Sequence, residues 1–401
     1  MTPRRRIGGR TRLGAAVIVV AAMGALSACS TSASSSTGST TGTTGTTGSG
    51  LPSKIQLYSI QDASGAAGAV GVDDENGINL AISQINAEHL LGSSTLSITY
   101  GDDATNPATA ASLATAATTA HYPLVIGPPS SGTAVAVAPI LSRASVPTVF
   151  TQAGGPGTLL NKYMFRLTPL QTDRIPLAFK WLQAEGIKSV AVLQDSDFPT
   201  EVSLAQETAA DGPKYGFKVV GTASVLASQS NISAEVSKLL SYHAQAVALF
   251  VVLTQNATAA SELKQGGFTG KIIAEDGAGN GTLDGAGGAA NGIVWASDWV
   301  PGAPFGSVST SFTKAYQAQY HAAPSDWAAE AYDATFYAAR AIKTANSVSP
   351  AAVDAALISE GETGFTGVLG QAKVIDGQEQ ATPVLVQWLN DAAVPMKNQN
   401  P

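Results

Sequence analysis

Cysteine, histidine and charge are all scarce in this chain of 401 residues. Cys29 is its sole cysteine, which excludes an intramolecular disulfide and any cysteine-based zinc site. The four histidines, His89, His121, His243 and His321, stand far apart, and none has metal-ligand spacing with another. No Gly-x-Ser-x-Gly elbow and no phosphate-loop lysine occurs, and the glycines of 277–288 lack the order a dinucleotide needs. Ser311-Phe-Thr-Lys314 matches a Ser-x-x-Lys nucleophile pair, but its Ser-Asp-Asn and Lys-Thr-Gly partners are missing. Asp102 and Asp103 are adjacent carboxylates without further ligands, read as a turn and helix start. The expectation is therefore no enzyme, no metal and no cofactor.

Charged residues make up 13% of the chain, and the net charge is -7. Five arginines, Arg4, Arg5, Arg6, Arg10 and Arg12, precede residue 13 in a stretch without acids. Without them, 17 basic face 29 acidic side chains, a balance that repels phosphate backbones and excludes nucleic acid as a partner. The same arginines open an export signal: a basic start, an apolar run from Leu13 to Leu26, then Leu26-Ser27-Ala28-Cys29. That run is shorter than the about 20 residues a membrane span requires. A cysteine after a small pair resembles a bacterial lipobox, so residues 1–28 are expected to be a lipoprotein signal peptide and Cys29 the lipidated residue. The general secretory and twin-arginine routes both stay open. Ser30 to Gly50 contains only Ser, Thr, Ala and Gly, a tether with a mean reach of about 25 Å.

With 44% apolar residues the remainder is ample for two or three domains at about 150 residues each. From Lys54 short apolar runs alternate with longer amphipathic stretches, the grammar of βαβ units. Strands are expected at 55–59, 96–100, 124–126 and 146–150, with helices between them; Asp73-Asp74-Glu75-Asn76 is read as supplying acids to the first helix N-terminus. After Arg166-Leu167-Thr168-Pro169 the series restarts, with strands at 190–194, 217–225, 246–253, 271–274 and 292–296. Helical patterns return at 311–320 and 327–345, and strands near Val368 and 384–388 close the chain. Two βα series imply two lobes, and open parallel sheets put ligands at the carboxyl ends of their strands. The loops of interest are then 60–71, 127–133, 151–157 and 275–281.

Several stretches now matter together: Gln84-Ile85-Asn86, Tyr100-Gly-Asp102-Asp103-Ala-Thr-Asn106-Pro107, Ile126-Gly127-Pro-Pro-Ser130-Ser131-Gly132-Thr133, Pro147 leading to Thr151-Gln152-Ala153, and Ala331-Tyr332-Asp333-Ala334. In order and spacing the chain resembles, over nearly all of 54–390, the type I periplasmic solute-binding proteins of the leucine/isoleucine/valine and amide-binding group. The resemblance implies an α/β, two-lobed fold, each lobe a mostly parallel sheet flanked by helices, with three crossing hinge segments. It puts lobe 1 at 52–170 plus 300–365 and lobe 2 at 171–299 plus 366–392, with hinges at 167–171 and 299–301. It implies an extracytoplasmic receptor that captures a branched-chain or other amino acid, an amide or a small organic acid and delivers it to ABC permease subunits. Such a receptor is a monomer that meets the membrane only through its anchor at residues 29–50. A ligand-sensing or surface-interaction lipoprotein on the same fold, without import, remains the other reading.

The resemblance also names a site: Ser130, Ser131, Thr133, Thr151, Ala153, Phe198 and Asp276. The hydroxyls and backbone N–H groups of 127–133 lie between a strand and a helix, fit either to hold a ligand carboxylate or to cap that helix. Asp276 falls where amino-acid binders of the family hold the ligand ammonium, and is equally a turn residue before Gly277. Phe198 either packs a ring on the ligand or caps the core of lobe 2. Two departures weaken an α-amino group's partners: Gly155 stands where relatives carry a hydroxyl, and Val251-Val252-Leu253 lacks a tyrosine.

Overall fold

The computed structural model describes residues 50–397; the expected signal peptide and Cys29 lie outside them. The chain begins with β1 (Lys54–Gln61), α1 (Gly68–Ala87), β2 (Thr95–Asp102), α2 (Pro107–Thr119), β3 (Val125–Ile126), α3 (Ser131–Arg143), β4 (Thr148–Phe150) and β5 (Met164–Arg166). It crosses to α4 (Gln171–Ala184), β6 (Ser189–Asp195), α5 (Pro199–Asp211), β7 (Lys218–Val225), α6 (Ser233–Ser241), β8 (Ala246–Phe250), α7 (Gln255–Gln265), β9 (Lys271–Ala274) and β10 (Val294–Ser297). It returns through α8 (Ser307–Tyr320), α9 (Asp326–Ala345) and α10 (Pro350–Thr363) to β11 (Phe365–Gly367), β12 (Gly370–Ile375) and β13 (Gln378–Gln380). A last crossing leads to β14 (Val384–Leu389) and β15 (Ala392–Pro395).

Two sheets result among the described residues, ordered β11-β12-β13-β5-β4-β3-β1-β2 and β15-β14-β10-β9-β8-β6-β7. The strands from β1 to β5 pair in parallel, as do those from β6 to β10, and only the late strands add antiparallel partners. Central strands are buried on both faces, which is why Ala246–Phe250 reads as an unbroken apolar run. Each sheet is covered by helices, and the fold is the two-lobed one with three crossings that the sequence implied.

Several boundaries differ from the sequence reading. Strands β12 and β13 pair in the first sheet, so 366–380 joins it and the last crossing falls between Gln380 and Val384. That crossing was invisible because β13 spans three residues and meets β5 at a single register pair. Helix α1 starts at Gly68, so Asp73 and Asp74 lie inside it, and Asp74 is buried. Asp74 Oδ2 accepts from Thr151 Oγ1 at 2.6 Å, a tertiary contact instead of a cap. Asn106 is a cap in fact: its side chain accepts from the N–H groups of Ala108 and Thr109 beside Pro107.

The lobe-1 core is built where α1 lies along α9. A Cβ on Gly77 would stand 2.2 Å from the carbonyl oxygen of Ala328, backbone that cannot yield. Only a residue without a side chain permits that approach. Gly77→Ala is expected to lower stability by about 1–3 kcal/mol, read as a lower denaturant midpoint at unchanged slope.

Candidate functional site

The carboxyl ends of the parallel strands of the two sheets face each other across a cleft that is partly open to solvent. The first lobe contributes Ala67 and Val70 before and within α1, Pro129 to Ser131 at the start of α3, Gln152 after β4, and Trp327 in the first turn of α9. The second contributes Gln171 of α4, Phe198 and Glu201 around the start of α5, Val252 and Leu253 after β8, and Glu275 to Gly277 after β9. Ser131 Oγ and Thr200 Oγ1 are 2.7 Å apart, a hydroxyl pair that joins the lobes across the cleft mouth. Ser131 Oγ also accepts from the N–H of Gly155 at 2.9 Å. A Cβ at Gly155 would come within 2.8 Å of Ser131, so the residue that departs from the family pattern leaves room for this hydroxyl.

Of the seven expected ligand residues, Ser130, Ser131, Phe198 and Asp276 line the cleft, and Thr133, Thr151 and Ala153 do not. Thr133 turns toward Ser130 O, at 3.0 Å, and Asp62, and Thr151 is spent on Asp74. The carbonyl of Ala153 accepts from Arg166 Nη1 at 2.8 Å, which directs it toward the first crossing. Ser130 lines the cleft while donating to the buried carboxylate of Asp62. Arg166 also binds Gln378, whose Nε2 donates to Thr168 O at 2.9 Å, so the first crossing is stitched to the end of the first sheet.

The position of Asp276 is as expected, but its charge is already balanced. Arg174 Nη2 lies 2.5 Å from Asp276 Oδ2 and Arg174 Nη1 3.1 Å from Asp298 Oδ1, while Gln171 Nε2 donates to Asp276 Oδ1 at 2.8 Å. Burial works against the charge of Arg174, yet Asp276 and then Asp298 hold its pKa above the usual arginine value. Oxygens of Asp276, Asp298 and Asp326 lie within 4.8 Å of one another, a grouping able to hold a cation. Arg174 supplies positive charge to two of them, and Asp326 accepts from Asn280 at 2.5 Å and from Ser297 at 3.2 Å. Burial, then its acidic neighbours Asp276 and Asp298, keep the Asp326 carboxyl well above its ordinary range.

Arg174 and Glu201 escaped the sequence reading of the site, and Gln171 and Glu275 entered it only as the ends of a hinge at 167–171 and a loop at 275–281. Arg174 shares a buried stripe with Ala178, Phe179 and Leu182 on a helix that was not expected at all, and a lone charge on an apolar face was the available signal. Glu201 is 5% exposed, and burial, with Asp195 and Asp276 nearby, pushes its carboxyl up to about 8. Glu275 is raised too, by burial first and then by Asp276 and Glu201.

Removing Arg174 leaves Asp276 and Asp298 buried without a counter-charge, so Arg174→Met is expected to cost about 3–5 kcal/mol in denaturant unfolding at neutral pH. The pH dependence has a definite sign. The folded pKa of Glu201, about 8, exceeds its ordinary 4.5, so the folded state binds more protons between those values. Its contribution to stability is complete below about pH 4.5 and is lost as pH rises toward 8. Glu201→Gln should therefore raise the melting temperature at pH 8 more than at pH 5.

Residues 54–393 match the family model described as periplasmic binding protein. No curated protein sequence matches the chain. Solved structures do: the leucine binding protein LivK from Thermotoga maritima MSB8 is similar at TM-score 0.78 and 22% identity, over 85% of this chain and 97% of that one. LivJ from Streptococcus pneumoniae, in complex with isoleucine, matches at 0.76 and 22%, over 86% of this chain and 100% of its own. A solute binding protein of an ABC transporter from Rhodopseudomonas palustris BisB5, in complex with 3,4-dihydroxy benzoic acid, matches at 0.78 and 18%, over 86% and 97%. At such identities the structures speak for the fold, while the family match spans most of the chain: this chain belongs to the periplasmic binding protein family.

Proposed function

We propose that the protein is the extracytoplasmic substrate-binding component of an ABC importer, which captures a small molecule by closing two lobes over it. The observation that carries this reading is the cleft itself. Strand ends and helix N-termini of both sheets converge on it, three crossings join the lobes among the described residues, and the Ser131 and Thr200 hydroxyls bridge them beside the bonds from Asn280 and Ser297 to Asp326. On this reading lobe 1 comprises about 52–166 with 307–380, and lobe 2 about 171–297 with 384–395. The crossings at 167–170, 298–306 and 381–383 form the hinge. Ligand contacts made to both lobes favour the closed form, which is the form that docks on the permease.

Relatives of this fold include proteins in complex with isoleucine and with 3,4-dihydroxy benzoic acid, so amino acids and small organic acids frame the solute class. The lining hydroxyls suit recognition of a solute: Ser131 and Thr200 are bonded to each other and Ser130 to a carboxylate. Lipid attachment at Cys29 would keep the receptor at the membrane, and no helix among the described residues is long and apolar enough to cross one.

Two measurements test the proposal. Loss of this chain from its host is expected to abolish energy-dependent uptake of whichever compound raises the melting temperature of the purified protein. Uptake unchanged by the loss would refute the import role. Cys29→Ser is expected to move the protein from the membrane fraction to the soluble extracytoplasmic fraction on cell fractionation.

A further inference from the structure

Three side-chain atoms on the cleft wall are buried and have no hydrogen-bond partner: Glu201 Oε2, Gln152 Oε1 and Gln171 Oε1. The two amide oxygens are acceptors, and so is Glu201 once its carboxyl has given up its proton. The amide orientations are not arbitrary. Gln152 Nε2 donates to the carbonyl of Trp327 at 3.1 Å and Gln171 Nε2 to Asp276 Oδ1 at 2.8 Å, so turning either amide would set oxygen against oxygen. Ser130 is spent on Asp62, and one hydroxyl of the Ser131 and Thr200 pair donates to the other, which leaves that pair a single O–H.

The charge balance points the same way. Glu201, Glu275 and Asp276 line the cleft, and no lysine, arginine or histidine is among its described lining residues. Arg174 stands behind Asp276 and is shared with Asp298, which leaves Glu201 and Glu275 without a cation. Buried carboxylates and unpaired acceptors are costly until a donor-rich positive group meets them. The rings of Phe198 and Trp327 line the same space, a surrounding that favours a cation further.

Resting on the reading of this cleft as an importer's solute site, we propose that its ligand is a small organic cation of net positive charge. It is a primary amine or guanidine whose N–H groups bond to Glu201, Gln152 and Gln171. The ammonium acceptor is thus Glu201 rather than Asp276, whose charge Arg174 already neutralises. A purely anionic solute would bring further acceptors to a wall of acceptors. A quaternary ammonium would match the charge but leave the three oxygens unbonded.

The raised pKa of Glu201 adds a signature. The groups around it are Asp195 at the end of β6, Glu275 and Asp276 after β9, and Arg174 of α4 behind them. With the site empty Glu201 holds its proton below about pH 8, and a bound cation must expel it. Cation affinity therefore rises from pH 6 to pH 8.

The experiment is thermal shift followed by calorimetric titration of the full chain with lysine, arginine, putrescine, choline, leucine and benzoate at pH 6 and pH 8. The expected result is a rise in melting temperature with one or more of lysine, arginine and putrescine, none with choline or benzoate, and affinity about tenfold or more higher at pH 8. Lysine or arginine binding better than putrescine would show that a carboxylate is read as well, at the N-terminus of α3. Glu201→Gln, which keeps the shape and should fold at least as stably, is expected to weaken the amine at least tenfold. Should leucine or benzoate raise the melting temperature as far as the amines or further, the net-cation assignment fails and the import reading stands. Amine affinity that falls with pH, or that ignores Glu201→Gln, also overturns it, because the acid would then act as a protonated donor or not at all. No shift with any of the six compounds would count against this assignment and against solute capture alike.

Discussion

A single buried guanidinium holds together the part of the molecule where the lobes meet. Arg174 reaches from α4 to Asp276 on the cleft floor and to Asp298 at the end of β10, where the chain leaves the second sheet. Asp326 and Glu330 of α9 lie close enough for both to raise its pKa. One cation thus serves carboxylates from both lobes. Such an arrangement is weak evidence for stability, because desolvating so many charges is costly, but it orients the cleft floor relative to the hinge. Asp276 is held in place by it, Gln171 is turned by Asp276, and the acceptor face of Gln171 is consequently presented to the cleft.

The same logic explains why both walls of the cleft are polar. Parallel strands deliver their loops to one edge, so helix starts and acidic turns from both sheets gather there. On the first lobe the hydroxyls find partners within the protein, Ser130 on Asp62 and Thr151 on Asp74, but the carbonyl of Gln152 does not. On the second, Glu201 and the carbonyl of Gln171 do not. Unmet acceptors on both walls suit a receptor whose ligand supplies the missing partners and so favours the closed form. To move such an equilibrium from 1:99 to 99:1, the ligand must bind the closed form about 10⁴-fold more tightly. The desolvated acceptors are where such a difference can arise, since water satisfies them when the lobes part.

Much of this was legible as pattern. Alternating strand and helix periods determined by themselves that the chain forms two βα lobes, because periods of 2 and 3.6 and turn-forming residues are local properties. The loops 127–133 and 275–281 followed from the rule that ligands meet the carboxyl ends of parallel strands, while Phe198 and Asp276 were named by the family resemblance. Short elements escaped it: β5, β11 and β13 have three residues each, too few for a period, and they exist because neighbouring strands offer them hydrogen bonds. Helix α4 was hidden for a different reason: Pro176 inside it and Arg174 on its buried face break the apolar stripe of its 14 residues.

Only the tertiary structure decided what the site residues do. From sequence, Asp276 was either the acid that meets a ligand ammonium or a turn residue before Gly277; in the fold Arg174, 102 positions earlier, neutralises it. Thr151 was a candidate ligand hydroxyl, and the packing of α1 against the first sheet hands it to Asp74 instead. Glu201 stands in the first turn of α5, where burial leaves one of its oxygens without a partner. The sequence determined which local structures and which chemical groups are present. Their charge states, partners and unmet hydrogen bonds depend on residues brought together from distant parts of the chain, and no local pattern encodes that.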